Sequence, residues 1–193
     1  MERTTALEIL NEFIKNQSLI NHNLAVEAAM RFYARKMGQD EEEWAITGLL
    51  HDFDWEIHPT LEDHPNAGAP ILREKGVPET IIKTIISHGP DGIRETPIEK
   101  ALFACDEITG LVTAVALVRP SKSLFDLKTK SVKKKWKNLH FAAGANREEI
   151  EQAAADFEID LWEHTSNIIL AMREAAEDLN LAGTLSSDDS VPV

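Results

Sequence analysis

The stretch GLLHDFDWEIHPTLEDHPNAGAPIL, residues 48–72, decides what kind of fold this chain can form. Its first residues continue a helical spacing of apolar side chains that begins after Asp40, and His51 and Asp52 stand where that helix ends. An irregular polar stretch with a proline inside it follows, and then a short helix from Pro65 that Gly76 closes. The segment therefore predicts two helices joined by a loop that carries polar, chemically active side chains.

Helical spacing of apolar side chains extends through almost the whole chain. Asn21 can cap a helix from His22 to Met37, which Gly38 ends, and Pro97 opens a long apolar helix. No stretch alternates like a strand, and no segment repeats. The sequence predicts an all-α chain with one domain over residues 1–182, a lysine-rich flap at 121–146 and a disordered tail at 183–193. Helices are expected at residues 3–15, 22–37, 40–51, 65–74, 78–87, 96–117, 148–155 and 160–179.

Composition narrows the classes of partner and compartment. The chain has 193 residues, of which 43% are apolar, and its net charge is −13. This charge repels nucleic acids and anionic membrane surfaces, so we expect neither as a partner. A single cysteine excludes an internal disulfide, no apolar run approaches a membrane span, and the first residues do not resemble a secretory signal. These features predict a cytoplasmic protein.

Histidines and aspartates stand at suggestive places along the helices. Four of these sites are at helix ends, where side chains can converge without disturbing a packed interface. Asp106 instead lies inside the very apolar helix ALFACDEITGLVTAVAL, where an aspartate is costly unless it is paired or ligated. A histidine alone at a helix C-terminus can simply favour the helix dipole. The joint set that predicts a metal site is His22, His51, Asp52, His64, His88 and Asp106.

Imidazole and carboxylate ligands suit Mn, Fe, Ni, Co, Zn or Mg as divalent ions. His22, His51, Asp52 and Asp106 can hold one ion and leave positions open for water and substrate, and the other two histidines offer ligands for a second. Asp52 can give one oxygen to each ion. Two such ions against two carboxylates make the centre locally positive, which attracts phosphate to an otherwise acidic protein.

The order His22, His51-Asp52 and Asp106 resembles the H…HD…D signature of the HD-domain superfamily of metal-dependent phosphohydrolases. The resemblance covers roughly residues 20–118 and looks closest to small stand-alone bacterial members. It implies an HD-like helical bundle with metal ligands from several helices, and His64 and His88 as the additional ligands of two-metal branches. No GYP motif is found, so the cyclic-dinucleotide phosphodiesterase branch is disfavoured.

Two acids beyond the ligand set are candidates for proton transfer alongside Asp52. Asp54 and Glu56 follow the HD pair closely and can act as a general base, orient a ligand histidine, or simply be solvated loop acids.

Residues 128–137, KTKSVKKKWK, hold six lysines. They can form a solvated face, a surface that steers phosphate towards the metal site, or a weak nucleic-acid patch. Candidate phosphate-binding residues are Arg119, Lys122, Lys134 and Lys135.

The leading hypothesis is a metal-dependent phosphohydrolase that acts on a small phosphate ester, such as a nucleotide, by metal-activated water. The resemblance leaves two alternatives open: a di-iron oxygenase of the same superfamily, and a non-catalytic module that senses a ligand.

Overall fold

A computed structural model describes residues 1–193, and its regular secondary structure consists of helices with no strand. The predicted all-α class is confirmed. The chain divides into two compact units, Met1–Phe103 and Ala104–Val193, and the boundary falls inside a helix. That the chain forms the single domain expected from its sequence stays a prediction. The helices are α1 Arg3–Phe13, α2 Gln17–Met37, α3 Glu41–Leu50, α4 Ala69–Glu74, α5 Glu79–Ser87, α6 Pro97–Leu117, α7 Thr129–Trp136, α8 Arg147–Asp156 and α9 Leu161–Glu174.

The first unit is built around α3, which packs against α1, α2 and α5, while α4 packs against α5. Asp40 caps the N-terminus of α3, because its carboxylate accepts hydrogen bonds from the backbone N–H groups of Glu42 and Glu43. One cluster in the core of the first unit is aliphatic apart from Phe53. Its largest buried members include Leu10, Ile14, Leu49, Leu50, Phe53, Leu72, Ile82 and Ile85.

Gly48 sets the approach of α2 and α3. A Cβ atom at this position would lie 2.9 Å from the Val26 carbonyl oxygen and 3.0 Å from Cγ of Met30. The missing side chain therefore allows α3 to rest directly on the backbone of α2, which places His51 close to the first turns of α2.

In the second unit α9 packs against α7 and α8. The guanidinium group of Arg173 on α9 donates to the carbonyl groups of Leu124, Leu127 and Val191. Residues 183–193, which the sequence predicted to be disordered, therefore make defined contacts. They form a 3-10 turn at Ser187–Asp189, and the Val191 carbonyl beyond it accepts the hydrogen bond from Arg173. These contacts were missed because the segment's composition is that of a polar tail. No helix of the structure is both long and apolar enough to cross a membrane.

Three predicted helix boundaries are wrong. α2 begins four residues after Phe13 and is capped by Asn16, not Asn21, so His22 lies inside the helix. The short fourth helix starts at Ala69, because the residues from 61 to 68 form consecutive turns. The last helix, α9, ends at Glu174 rather than at residue 179. The segment 121–146 contains α7, and that it forms a flap stays a prediction.

Candidate metal centre

Five of the predicted ligands lie in the first unit and come from four places along the chain. His22 is on α2, His51 is the C-terminal cap of α3, and Asp52 begins the turns that follow. His64 lies in the turns before α4, and His88 caps the C-terminus of α5. Helix ends thus supply two of the histidines, whereas the sequence predicted four sites at helix ends: His22 lies inside α2, and His64 lies in turns.

The carboxylate of Asp52 is the meeting point of these side chains. Its Oδ1 atom lies 3.1 Å from Nε2 of His64 and 3.4 Å from Nε2 of both His51 and His88. Its Oδ2 atom lies 3.6 Å from Nε2 of His22. Four imidazoles therefore present the same ring nitrogen to one carboxylate.

The opposite ring nitrogens explain this common orientation. His51 donates its Nδ1 hydrogen to the backbone carbonyl three residues earlier at 2.8 Å, and His88 donates in the same way to its own helix. His64 donates its Nδ1 hydrogen to Oδ1 of Asp54 at 2.7 Å. Since a neutral imidazole carries one hydrogen, these bonds leave the Nε2 lone pairs facing the centre.

Such a convergence of lone pairs needs a cation. Nε2 of His64 lies 3.0 Å from Nε2 of His88, and two lone pairs at that distance repel unless a proton or a metal ion lies between them. Ligand atoms of His22, His51 and Asp52 lie within 4.8 Å of one another, and so do those of Asp52, His64 and His88. Each of these two groups could hold a metal ion, and Asp52 belongs to both.

The charges in this cluster shift the pKa values of Asp52 and His64. Burial opposes the negative charge of Asp52, but the imidazoles around it, His51 foremost, hold its pKa well below the usual range. Burial likewise opposes the positive charge of His64, but the hydrogen bonds that its ring donates to the carboxylates of Asp52 and Asp54 raise its pKa to about 9. The centre therefore favours an ionised carboxylate surrounded by positive charge, which a proton or a divalent ion can supply.

The family comparison agrees with this geometry. The sequence model of the HD domain matches residues 19–111. These residues form an HD domain. No curated protein and no solved structure matches the chain. HD domains bind divalent metal ions, and their superfamily consists mostly of metal-dependent phosphohydrolases. The match contains all six residues predicted as ligands.

Asp106 is the one predicted ligand that lies in the second unit. It stands on α6, where it is half-buried, and its backbone carbonyl accepts a hydrogen bond from Thr109. Its role as a metal ligand stays a prediction.

Asp54 and Glu56, the two acids that follow the HD pair, lie in different surroundings. Asp54 is fully buried and its carboxylate holds His64, whereas Glu56 is exposed. The Glu56 carboxylate accepts the backbone N–H groups of Lys15 and Asn16 at 2.7 and 2.8 Å. The geometry favours a positioning role for Asp54 and a structural role for Glu56, and proton transfer by either acid stays a prediction.

The residues predicted to bind phosphate all lie in the second unit. Arg119 is engaged within it, because its guanidinium group binds the Asp126 carboxylate at 2.6 Å. Lys122 and Lys134 are exposed, and the ammonium group of Lys135 lies over the Phe141 ring. Their role in binding phosphate stays a prediction.

A cleft of about 490 Å³ is lined by residues that flank His64 and His88 in the chain. Gly89, which follows His88, contributes to its wall, and Trp55 packs edge-on against His64 with ring centroids 4.8 Å apart. The cleft mixes apolar side chains, carboxylates and an amide: Leu61, Ile86, Pro90, Glu62, Asp91 and Asn66.

Sequence reasoning missed Arg94. Its guanidinium group donates to the carbonyl groups of His88 and Gly89 at 3.2 and 2.8 Å and stacks on the Phe103 ring at 3.5 Å. It therefore holds the loop after α5 in place. The HGPDG loop signal beside an arginine was the available clue, but nothing in the sequence showed which way that arginine turns.

Proposed function

We propose that this protein is a metal-dependent phosphohydrolase that acts on a small phosphate ester, with nucleotides among the candidate substrates. The observation that carries the proposal is the convergence of four Nε2 atoms on the Asp52 carboxylate. Membership of residues 19–111 in the HD domain supports the same reaction class.

The predicted ligands fall into two groups that have Asp52 in common. His22 and His51 would hold one ion, His64 and His88 would hold a second, and the Asp52 carboxylate would serve both. By resemblance to the HD signature, Asp106 completes the set. Divalent ions held in this way supply charge stabilisation for phosphate oxygens and lower the pKa of bound water. The protein's own contribution is to fix these ligands.

The cleft lined by residues that flank His64 and His88 would receive the part of the substrate beyond the reacting phosphate. Leu61, Ile86 and Pro90 offer apolar surface to it, while Glu62 and Asp91 bring negative charge. A second phosphate would be repelled there. We therefore expect an ester whose alcohol part is uncharged or cationic, and we expect monophosphates to be preferred over polyphosphates.

The test is metal analysis of the purified protein followed by a phosphomonoester and phosphodiester panel with Mn²⁺, Mg²⁺, Co²⁺ and Ni²⁺. Asp52→Asn keeps the side-chain size but removes the charge that links the two ligand groups, so we expect activity to fall by more than about 100-fold. Asp63→Asn is the matched control, since Asp63 is an exposed acid in the same loop. Circular dichroism establishes that both variants fold.

Asp106→Ala extends the test to the second unit and should lower activity as strongly as Asp52→Asn. Metal-loaded protein that turns over no phosphoester would overturn the proposal, as would full activity in Asp52→Asn. Bound iron with consumption of O₂ would instead support the oxygenase alternative.

A further inference from the structure

Asp54 makes an unusual set of contacts for a buried acid. Its side chain is 0% exposed, yet it makes one hydrogen bond, from Oδ1 to Nδ1 of His64. The Oδ2 atom is buried without a hydrogen-bond partner. A carboxylate so poorly satisfied costs folding free energy rather than adding to it, so its presence calls for another reason.

The other histidines of the centre suggest what that reason is. His51 and His88 each follow a helix and donate Nδ1–H to a carbonyl of their own last turn. His64 lies in a series of turns, and its Nδ1 hydrogen goes to Asp54 instead. Asp54 thus does for His64 what a helix end does for the other two.

Gly68 fixes where the Asp54 carboxylate can lie. A Cβ atom on Gly68 would come within 2.4 Å of Oδ2 of Asp54 and 2.9 Å of the Phe53 ring. The backbone of Gly68 has a φ of −73°, which any residue adopts, so conformation does not require glycine here. Close packing against Asp54 does.

We propose that Asp54 is a positioning residue that locks His64 in the tautomer and ring orientation in which Nε2 faces Asp52 and His88, with Gly68 providing the space for its carboxylate. The inference rests on the metal centre of the proposed function and not on the reaction. A carboxylate behind a ligand imidazole fixes the ring and raises its basicity, and loss of such a partner lowers metal affinity by about 10- to 100-fold.

The experiment combines nitrogen NMR of the histidine rings with titration of the metal-free protein by Zn²⁺ alone. The His64 signals are assigned by comparison with His64→Gln. The ring spectra are recorded above about pH 9, where the His64 ring of the metal-free protein is neutral. There we expect wild-type His64 to carry its hydrogen on Nδ1 and Asp54→Ala to give a mixture of tautomers. We also expect Asp54→Ala to lower the Zn²⁺ affinity by at least about 10-fold. Asp54→Asn retains an acceptor oxygen of the same shape, so it should keep the tautomer and lose less affinity.

Asp63→Asn, one residue before His64, is the control and should change neither reading. Gly68→Ala should act like Asp54→Ala, since it displaces the carboxylate without removing it. An unchanged His64 tautomer and a Zn²⁺ affinity within about two-fold of wild type in Asp54→Ala would overturn the inference. Both readings are made without substrate, so a protein that hydrolyses no phosphoester can still confirm the role of Asp54.

Discussion

At the scale of single residues, Asp52 has four imidazoles as neighbours and only one of them adjoins it in the chain. His51 precedes it directly, while the other three come from α2, the turns before α4 and the end of α5. The charge at this point therefore depends on how many of these rings carry a second proton, and a divalent ion must displace such protons to bind.

We expect metal binding to release a proton from His64. The pKa of His64 is raised to about 9, so in the metal-free protein this ring is protonated at neutral pH and becomes neutral only as pH rises through that value. Metal affinity should accordingly increase with pH up to about 9 and then level off. Titration calorimetry in buffers of different ionisation enthalpy measures the number of protons released.

His64→Gln provides the control, because it removes the ring and should remove one released proton at about pH 7.5. Equal proton release in the two proteins would show that His64 does not hold the proton that the ion displaces.

The identities of the candidate ligands could be predicted from the sequence, but their orientation could not. Asp54 and Glu56 show why. They lie two positions apart in a series of turns that has neither the 3.6-residue nor the 2-residue period, so spacing does not tell which side each faces. One lies inside against His64, and the other binds the backbone N–H groups before α2.

At the scale of helices, the contact between α2 and α3 depends on Gly48. Gly48→Ala would place a Cβ atom against the backbone of α2, and we expect a loss of about 1–3 kcal/mol in the free energy of unfolding. Because His51 bonds to the carbonyl of the same residue, metal affinity should fall as well. Urea denaturation and Zn²⁺ titration measure the two effects.

Gly110→Ala is the matched control. Gly110 also lies within a helix, but no atom would come within 4 Å of its added Cβ. Alanine there should stabilise the protein by about 0.5–1 kcal/mol, since it restricts the unfolded chain and favours the helix. Equal effects at the two glycines would argue against a close helix contact at Gly48.

Arg94 carries a prediction about the loop after α5. Arg94→Lys keeps the charge but loses the planar group that spans the carbonyls of His88 and Gly89 and stacks on Phe103. We expect faster hydrogen exchange in residues 88–92 and a Zn²⁺ affinity lowered a few-fold, since the loop follows a ligand directly. Unchanged exchange in the loop would show that Arg94 does not hold it.

Most helices could be predicted because their boundaries depend on local signals. Asp40 caps α3, and Gly38 ends α2 with a φ of 66° in the left-handed region. The start of α2 could not, because Asn16 and Asn21 are equally good caps and only packing decides between them. The start of α4 was missed for a similar reason, since the residue types in the turns at 61–68 are also common in the first turn of a helix.

At the scale of the whole molecule, the net charge of −13 should slow the arrival of an anionic substrate. We expect kcat/KM for a phosphomonoester dianion to rise a few-fold between about 10 and 150 mM salt, because ions screen this repulsion. A phosphodiester, which carries one charge, should respond less. Rate constants that fall with salt would show that local positive charge controls the approach instead.

The salt dependence of kcat/KM also tests whether the lysine segment 128–137 steers phosphate. If Lys134 and Lys135 steer phosphate, Lys134→Gln with Lys135→Gln should lower kcat/KM at low salt and leave it unchanged at high salt. An effect absent at every salt concentration would make the segment a solvated face, the ordinary fate of a run of charges on a helix.

Whole-molecule organisation was harder to predict than either residues or helices. Helical periodicity continues through α6, so no composition change marks the boundary between Phe103 and Ala104. The second unit instead depends on contacts distant in the chain, such as those of Arg173 with Leu124 and Val191. Such pairings leave no local signature, and the tail therefore looked unstructured.

The fixed Nδ1 bonds of His51, His64 and His88 have a consequence for the entropy of metal binding. These rings are already immobilised, so capture of an ion would restrict few further side-chain rotations. Binding should then keep nearly all the favourable entropy of water released from the ion. A centre arranged in this way is expected to bind its ions with little change in the order of the surrounding chain.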